Sequence, residues 1–283
     1  MTLRIVFALA VLAIFAAPAA RAQTAPSPSP SPSASPAAVS DPCGSIISIV
    51  TRPTVTTSVC TVRPRKALIE TGYTNTTVTG AAGGTSVSYP QALIRIGSGD
   101  PRLEYDLIPP SANVSSIGGT VARGASDLGF GLKSELGYTS AASWGVNAYA
   151  TLPTGAPAFT AGSAQYTANF NGAYTLNPTL SLAGTVGYNS LAGTNANNQL
   201  RRFSSIIPSL TLSASYPANS EFFVEYVYFS QAGPGLGSRT VIDYGFIRDL
   251  GPHVQVDVEA GVQPTAVNGQ RAHYVGAGLS LMN

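Results

Sequence analysis

The chain has 283 residues, enough for one large all-β domain, and only 10% of them are charged, against about a quarter in a typical globular protein. Its formal charge is +2; without Arg4 and Arg21, which lie in a segment read below as removed, 13 basic residues face 13 acidic ones. Neutrality gives no basis for a nucleic-acid partner, and two cysteines with two distant histidines indicate no metal or cofactor centre.

Residues 1–22 carry Arg4, an apolar run from Ile5 to Ala17, and the small-x-small pattern Ala20-Arg21-Ala22 before Gln23. This reads as a secretory signal peptide. The run is far short of the roughly twenty apolar residues that a spanning helix requires, and no later run reaches that length. Any membrane crossing must then be made by a closed barrel, the other structure that satisfies every backbone polar group in lipid. Residues 23–42, where Pro26, Pro28, Pro30, Pro32 and Pro36 sit among serines, cannot build a core and read as an extended periplasmic tether. Residues 43–65 read as a lead-in to the first strand, stapled by a Cys43–Cys60 disulfide. An even cysteine count in an exported chain supports that pairing, and closing such a loop stabilises by about 3 kcal/mol on the chain-entropy estimate. Ile46, Ile47, Ile49 and Val50 form an apolar patch in this segment, so a short plug-like element is the alternative to a simple lead-in.

Residues 66–283 alternate with period two. Ala67, Ile69, Thr71 and Tyr73 oppose Leu68, Glu70 and Gly72; Leu103, Tyr105 and Leu107 oppose Arg102, Glu104 and Asp106. The clearest unit runs from Asp127 to Leu152. There Leu128, Phe130, Leu132, Leu136 and Tyr138 oppose Gly129, Gly131, Lys133, Glu135 and Gly137. After a small-residue turn, Trp144, Val146, Ala148 and Ala150 oppose Gly145, Asn147, Tyr149 and Thr151. Each arm is about ten residues long, the span a tilted transmembrane strand needs and longer than a usual sandwich strand. The pattern recurs through Gln165–Tyr174, Leu180–Asn189, Ser209–Tyr216, Glu221–Phe229, Thr240–Arg248, Val254–Gln263 and Ala272–Met282. Short connections such as Leu176–Thr179 alternate with long ones such as Pro109–Ser126. Tyr138, Trp144, Tyr174, Tyr216 and Phe222 flank the short connections, while Tyr73, Tyr166, Tyr188 and Tyr228 lie toward the long ones, as two interfacial girdles would. The expected fold is an all-β, up-and-down antiparallel transmembrane barrel of about twelve strands. Short turns and both chain ends face the periplasm; longer loops lie outside.

The Asp127-Leu-Gly-Phe-Gly-Leu-Lys133 strand, the strand end Leu152-Pro-Thr-Gly155, and the Gly-rich Tyr274-Val-Gly-Ala-Gly-Leu-Ser280 resemble the outer-membrane barrels of the phenol meta-pathway degradation family. The resemblance spans roughly residues 66–283. It implies an outer-membrane barrel that passes small hydrophobic or aromatic molecules, with outer-membrane lipid and the barrel assembly machinery as partners, and it carries no catalytic residue across. One departure is Asn283, at a position where such barrels end in an aromatic residue.

The inward parity holds Glu70, Arg95, Arg102, Glu104, Asp106, Lys133 and Glu135 on the first half of the wall. Glu225, Asp243, Asp257 and Glu259 lie on the second half, with Tyr149 and Phe223 adding apolar surface. In a narrow lumen these charges are expected to pair across strands, either as a rigid wall or as a selectivity lining. The function read from this is an outer-membrane channel for small solutes, hydrophobic or aromatic ones on the resemblance, and not an enzyme. A structural or adhesive barrel is the alternative. A lipase is the weaker one, since outward-facing His273 has no outward Ser and acid beside it.

Overall fold

The computed structural model describes residues 40–283 apart from Ala81, Ala196 and Ala218. The expected signal peptide and most of the tether lie outside the described residues. Among the described residues, a one-turn helix, α1 (Ile46–Ile49), precedes fifteen strand segments. The first seven are β1 (Ala67–Thr79), β2 (Gly84–Tyr89), β3 (Leu93–Gly97), β4 (Leu103–Ile108), β5 (Ala112–Ile117), β6 (Thr120–Ala125) and β7 (Leu128–Tyr138). Then come β8 (Ala142–Leu152), β9 (Gln165–Asn177), β10 (Leu180–Thr194), β11 (Leu200–Tyr216) and β12 (Ser220–Phe229). The last three are β13 (Arg239–Gly251), β14 (Val254–Val267) and β15 (Gln270–Met282).

Every pairing is antiparallel, and β15 pairs back onto β1 from Leu68↔Met282 to Thr79↔Arg271, so the sheet closes. Three pairs of segments act as single barrel strands, which makes twelve. β2 and β3 both pair with β1, separated by an irregularity at Pro90–Ala92. β4 and β5 keep one register against β3 and β2 across Pro109–Ser111, and β7 and β6 continue it across Ser126–Asp127. Prolines cause the first two breaks, because a proline cannot donate to the ladder and is tolerated in a strand only at such irregularities.

The fold is therefore the expected transmembrane barrel, with one refinement in its connections. The rim that carries Ala67 and Met282, the proximal rim, has short turns throughout. At the opposite, distal rim the excursions are longer, but much of each is strand. The Pro109–Ser126 stretch is a β5–β6 hairpin turning on Gly118 (φ 60°) and Gly119 (φ 78°), and β14–β15 turns on Asn268 (φ 51°) and Gly269 (φ 71°). Two successive residues with positive φ match the right-handed twist of a hairpin. Only residues 153–164 and 230–238 remain as extended loops.

The apolar parity faces outward. Phe130 is 46% and Val258 54% exposed, so neither is hidden in a core of the chain's own, and Tyr166, Tyr188 and Tyr216 are exposed near the rims. Asn283 continues the closure where an aromatic was expected: its Oδ1 accepts the Ala67 N–H at 2.8 Å, and its own N–H donates to Ala67 O at 3.2 Å.

The two halves of the family-like motif meet at the distal rim. The Asp127 carboxylate accepts N–H groups from Gly155 and Ala161, each at 2.9 Å, while Leu128 N–H donates to Thr154 Oγ1 at 3.0 Å. Partial burial pushes the Asp127 carboxyl up, but hydrogen bonds from residues 154–161 outweigh it and hold the group below its ordinary value. A depressed value means that the carboxylate stabilises the loop above the ordinary carboxylate range and loses that effect as pH falls through the folded value. Asp127→Asn is expected to speed proteolytic cleavage within 153–164 at neutral pH while the barrel stays intact. Unchanged cleavage would show that the loop is held without it.

Candidate functional site: a lumen filled by the chain's own segment

The segment read as a lead-in lies inside the barrel. Cys43 and Cys60 are bonded, with sulfurs 2.01 Å apart. With Ile46, Ile49, Val50 and Val62 they form a buried apolar cluster against inward-facing Leu68, and Met282 packs on it. This cluster lies in the proximal half of the lumen, beside Leu68 and Met282. Residues 43–65 are referred to below as the plug, since the apolar patch of α1 packs against the inward-facing wall at Leu68.

The next layer toward the distal rim is a buried charged clamp. Glu70 on β1, Arg95 on β3 and Glu104 on β4 share the inward face through the Leu68↔Arg95 and Gly97↔Glu104 registers. Arg95 donates from Nη1 to Ile49 O at 2.6 Å and Glu70 Oε1 at 2.8 Å, from Nη2 to Cys60 O at 2.8 Å, and from Nε to Glu104 Oε1 at 2.9 Å. Glu70 Oε2 accepts the N–H groups of Thr51 at 3.1 Å and Arg52 at 2.9 Å; Glu104 Oε2 accepts that of Val62 at 2.5 Å. All three side chains are at most 1% exposed. Burying charges requires pairing with the remaining lone pairs and protons satisfied, and the plug backbone supplies those partners.

From Arg52 the chain crosses the lumen to the opposite wall. Glu225 on β12 accepts Val55 N–H through Oε2 and Thr56 N–H through Oε1, each at 2.7 Å, and Thr211 Oγ1 donates to it at 2.9 Å. Thr57 N–H donates to Thr185 Oγ1 at 2.9 Å, which continues through Asn171 to Asn147 at 2.9 and 2.6 Å.

The other residues expected to line the lumen take different positions. Lys133 Nζ is buried 3.9 Å from Glu104 Oε1, and Tyr149 donates to Asp106 Oδ2 at 2.9 Å. Glu135 lies at the proximal end, 3.6 Å from Arg63 Nη1, and Arg63 also pairs with Asp41. Phe223 is buried over Gly245. Asp243, Asp257 and Glu259 line the β13–β14 wall, where Tyr274 donates to Asp243 Oδ2 at 2.7 Å. Arg102 is a correction: it is exposed in the turn before β4, its N–H tied to Asp100 Oδ1 at 2.8 Å. The alternation carried it inward, but Pro101 starts the turn and the strand begins one residue later. His273 is exposed, with Thr77 and Val262 opposite it in the ladder, neither of them an acid. The sequence reading missed Arg52 and Gln91. A lone arginine beside proline between the cysteines was the available signal.

With the loop cross-link removed, the plug should loosen before the barrel. Cys43→Ser with Cys60→Ser is expected to lower plug stability by about 3 kcal/mol. Limited proteolysis should then cut residues 43–65 while heat-modifiable migration persists, and simultaneous loss of both would mean that plug and wall form one unit.

The fold and this filled lumen define a self-plugged transmembrane β-barrel. The chain belongs to the family described as "Putative MetA-pathway of phenol degradation", which it matches over residues 51–281, taking in the clamped part of the plug as well as the barrel. No curated protein matches it in sequence. Among solved structures it is similar to the COG4313 outer membrane channel from Pseudomonas putida F1, at 13% identity and TM-score 0.57 over 79% of this chain and 97% of that one. It is also similar to the NanC porin, at 7% identity and TM-score 0.51 over 75% and 98%. A third is the translocator domain of autotransporter NalP from Neisseria meningitidis, at 10% identity and TM-score 0.50 over 76% and 88%. At such identities the likeness is one of fold.

Proposed function

We propose that the protein is an outer-membrane channel for small hydrophobic or aromatic solutes, with its proximal rim and both chain ends in the periplasm and its plug as the barrier to be moved. The observation that carries this reading is the lumen itself: a closed polar wall, plugged on one side, with a cavity of about 240 Å³ between plug and wall. Thr51, Arg52, Thr54 and Gln91 give the cavity polar atoms, and Pro53, Ala92, Leu93 and Ile108 give it apolar ones. A mostly apolar concavity with a few placed polar groups suits a small amphipathic solute. The channel name of the Pseudomonas putida protein and the family description support the same reading. The saturation of the clamp favours a second reading, a static structural or adhesive barrel. Uptake of radiolabelled aromatics and sugars by cells with and without the protein separates the two. Protein-dependent uptake of aromatics is expected, and its absence, together with absent swelling of liposomes that carry the protein, would leave the static barrel.

A further inference from the structure

Arg95 and Arg52 both enter the lumen network, and they are held very differently. Arg95 makes four short hydrogen bonds, whereas the Arg52 guanidinium reaches Gln91 Oε1 at 3.5 Å, Asp257 Oδ1 at 3.5 Å and Ala277 O at 3.4 Å, all at the outer limit of a hydrogen bond. Its Nε has no partner, and neither does the buried Asp257 Oδ2, on a residue 2% exposed. The wall is nonetheless shaped to receive this group. Gly72 on β1 and Gly278 on β15 face each other in the ladder, and a Cβ on either would overlap the guanidinium. Asp257 sits across from Gly278 on β14, with Glu259 two residues on along the same inward face. Two strands thus give up their side chains at one height to open a flat slot with a carboxylate at its edge, and the occupant leaves that carboxylate half used.

We infer that this slot is a docking site for the guanidinium or ammonium group of a small organic cation, and that Arg52 of the plug is its internal competitor. A free guanidinium is able to meet Asp257 with two parallel N–H groups, the stronger bidentate arrangement that the tethered Arg52 does not reach. Electrostatics points the same way. Glu225, Asp243, Asp257 and Glu259 lie on three adjacent strands, and Arg52 is the only basic side chain among the described residues that forms an ion pair with any of them. A carboxylate solute would add to that excess. The body of the solute has a place as well, because the cavity of about 240 Å³ adjoins Arg52 and offers Leu93, Ile108, Ala92 and Pro53 as apolar walls. For comparison, an engineered cavity of about 150 Å³ holds benzene, so one ring fits.

The inference rests on the channel reading only for how a solute arrives, and it is tested by binding, without flux. Calorimetric titration of the full chain in detergent would use benzylguanidinium, with benzyl alcohol and benzoate as neutral and anionic counterparts of one ring each. Benzylguanidinium should bind at least about tenfold more tightly than either. Arg52→Gln, which is shorter and uncharged and so withdraws the guanidinium from the slot, should tighten it by a further tenfold or so, and Asp257→Asn should weaken it by as much (tenfold is about 1.4 kcal/mol). Heat-modifiable migration verifies that each variant is folded, with Arg52→Ala as a second vacating variant. Equal binding of benzoate, no gain on vacating Arg52, no loss at Asp257→Asn, or no binding at all would each overturn the assignment. A failure of aromatic uptake in cells would leave these titrations untouched.

Discussion

Arg95→Met is expected to unseat the plug and to lower stability by about 3–5 kcal/mol, the usual result of removing one partner from a buried ion pair. Methionine fills the volume of the arginine stem, so the loss is electrostatic more than steric. Glu70 and Glu104, both 0% exposed, would be left as neighbouring buried carboxylates with no cation between them, and Ile49 O and Cys60 O would lose their donors. Lys133 offsets this only in part, since its Nζ forms a long ion pair with Glu104, 3.9 Å, and makes no hydrogen bond. The variant should unfold at lower urea, expose residues 43–65 to protease, and show frequent openings in single-channel recordings where the parent is mostly closed. Adding Glu70→Gln and Glu104→Gln should restore part of the stability by removing the orphaned charges. If Arg95→Met keeps both the unfolding midpoint of the parent and its closed state, the clamp carries no weight.

The barrel was legible in the sequence because its determinant is local. Parity along one strand assigns each side chain to lipid or lumen, and a one-residue slip would exchange the two faces. Glu70, Arg95, Glu104 and Glu225 were placed inward on that basis and are buried there. Parity does not say where a strand begins, which is why Arg102 was carried one residue too far. Nor does it distinguish a proline that ends a strand from one that interrupts it: Pro109 and Pro110 read as the start of a loop, yet β5 resumes the register of β4 beyond them. The plug was less legible for another reason. Its partners on the wall sit 18 to 225 residues away along the chain, and a backbone N–H that a lumen carboxylate will accept carries no mark in the sequence. The apolar patch around Ile46 showed that the segment needed a dry surface, and only the closed barrel shows which one.

Glu225 is where a conservative change separates charge from shape. Its two oxygens each accept one backbone N–H of the plug, from Val55 and Thr56. Glutamine has the same size but a single acceptor oxygen, so Glu225→Gln must turn an NH₂ group toward one of these N–H donors. The expected loss is about 1.5–3 kcal/mol, the scale of a hydrogen bond to a charged group, and it should be local because the Glu70–Arg95–Glu104 clamp still holds Thr51, Arg52 and Val62. Amide hydrogen exchange at Val55 and Thr56 should therefore speed up roughly tenfold to a hundredfold, with exchange at Val62 unchanged. Glu225→Ala should add the loss of the second acceptor and of the Thr211 contact, and raise exchange further. Equal acceleration at Val62 would mean that the crossing of the lumen and the clamp open together, making the plug one cooperative unit; no acceleration anywhere would mean that water replaces the carboxylate at no cost, and that this wall does not hold the plug.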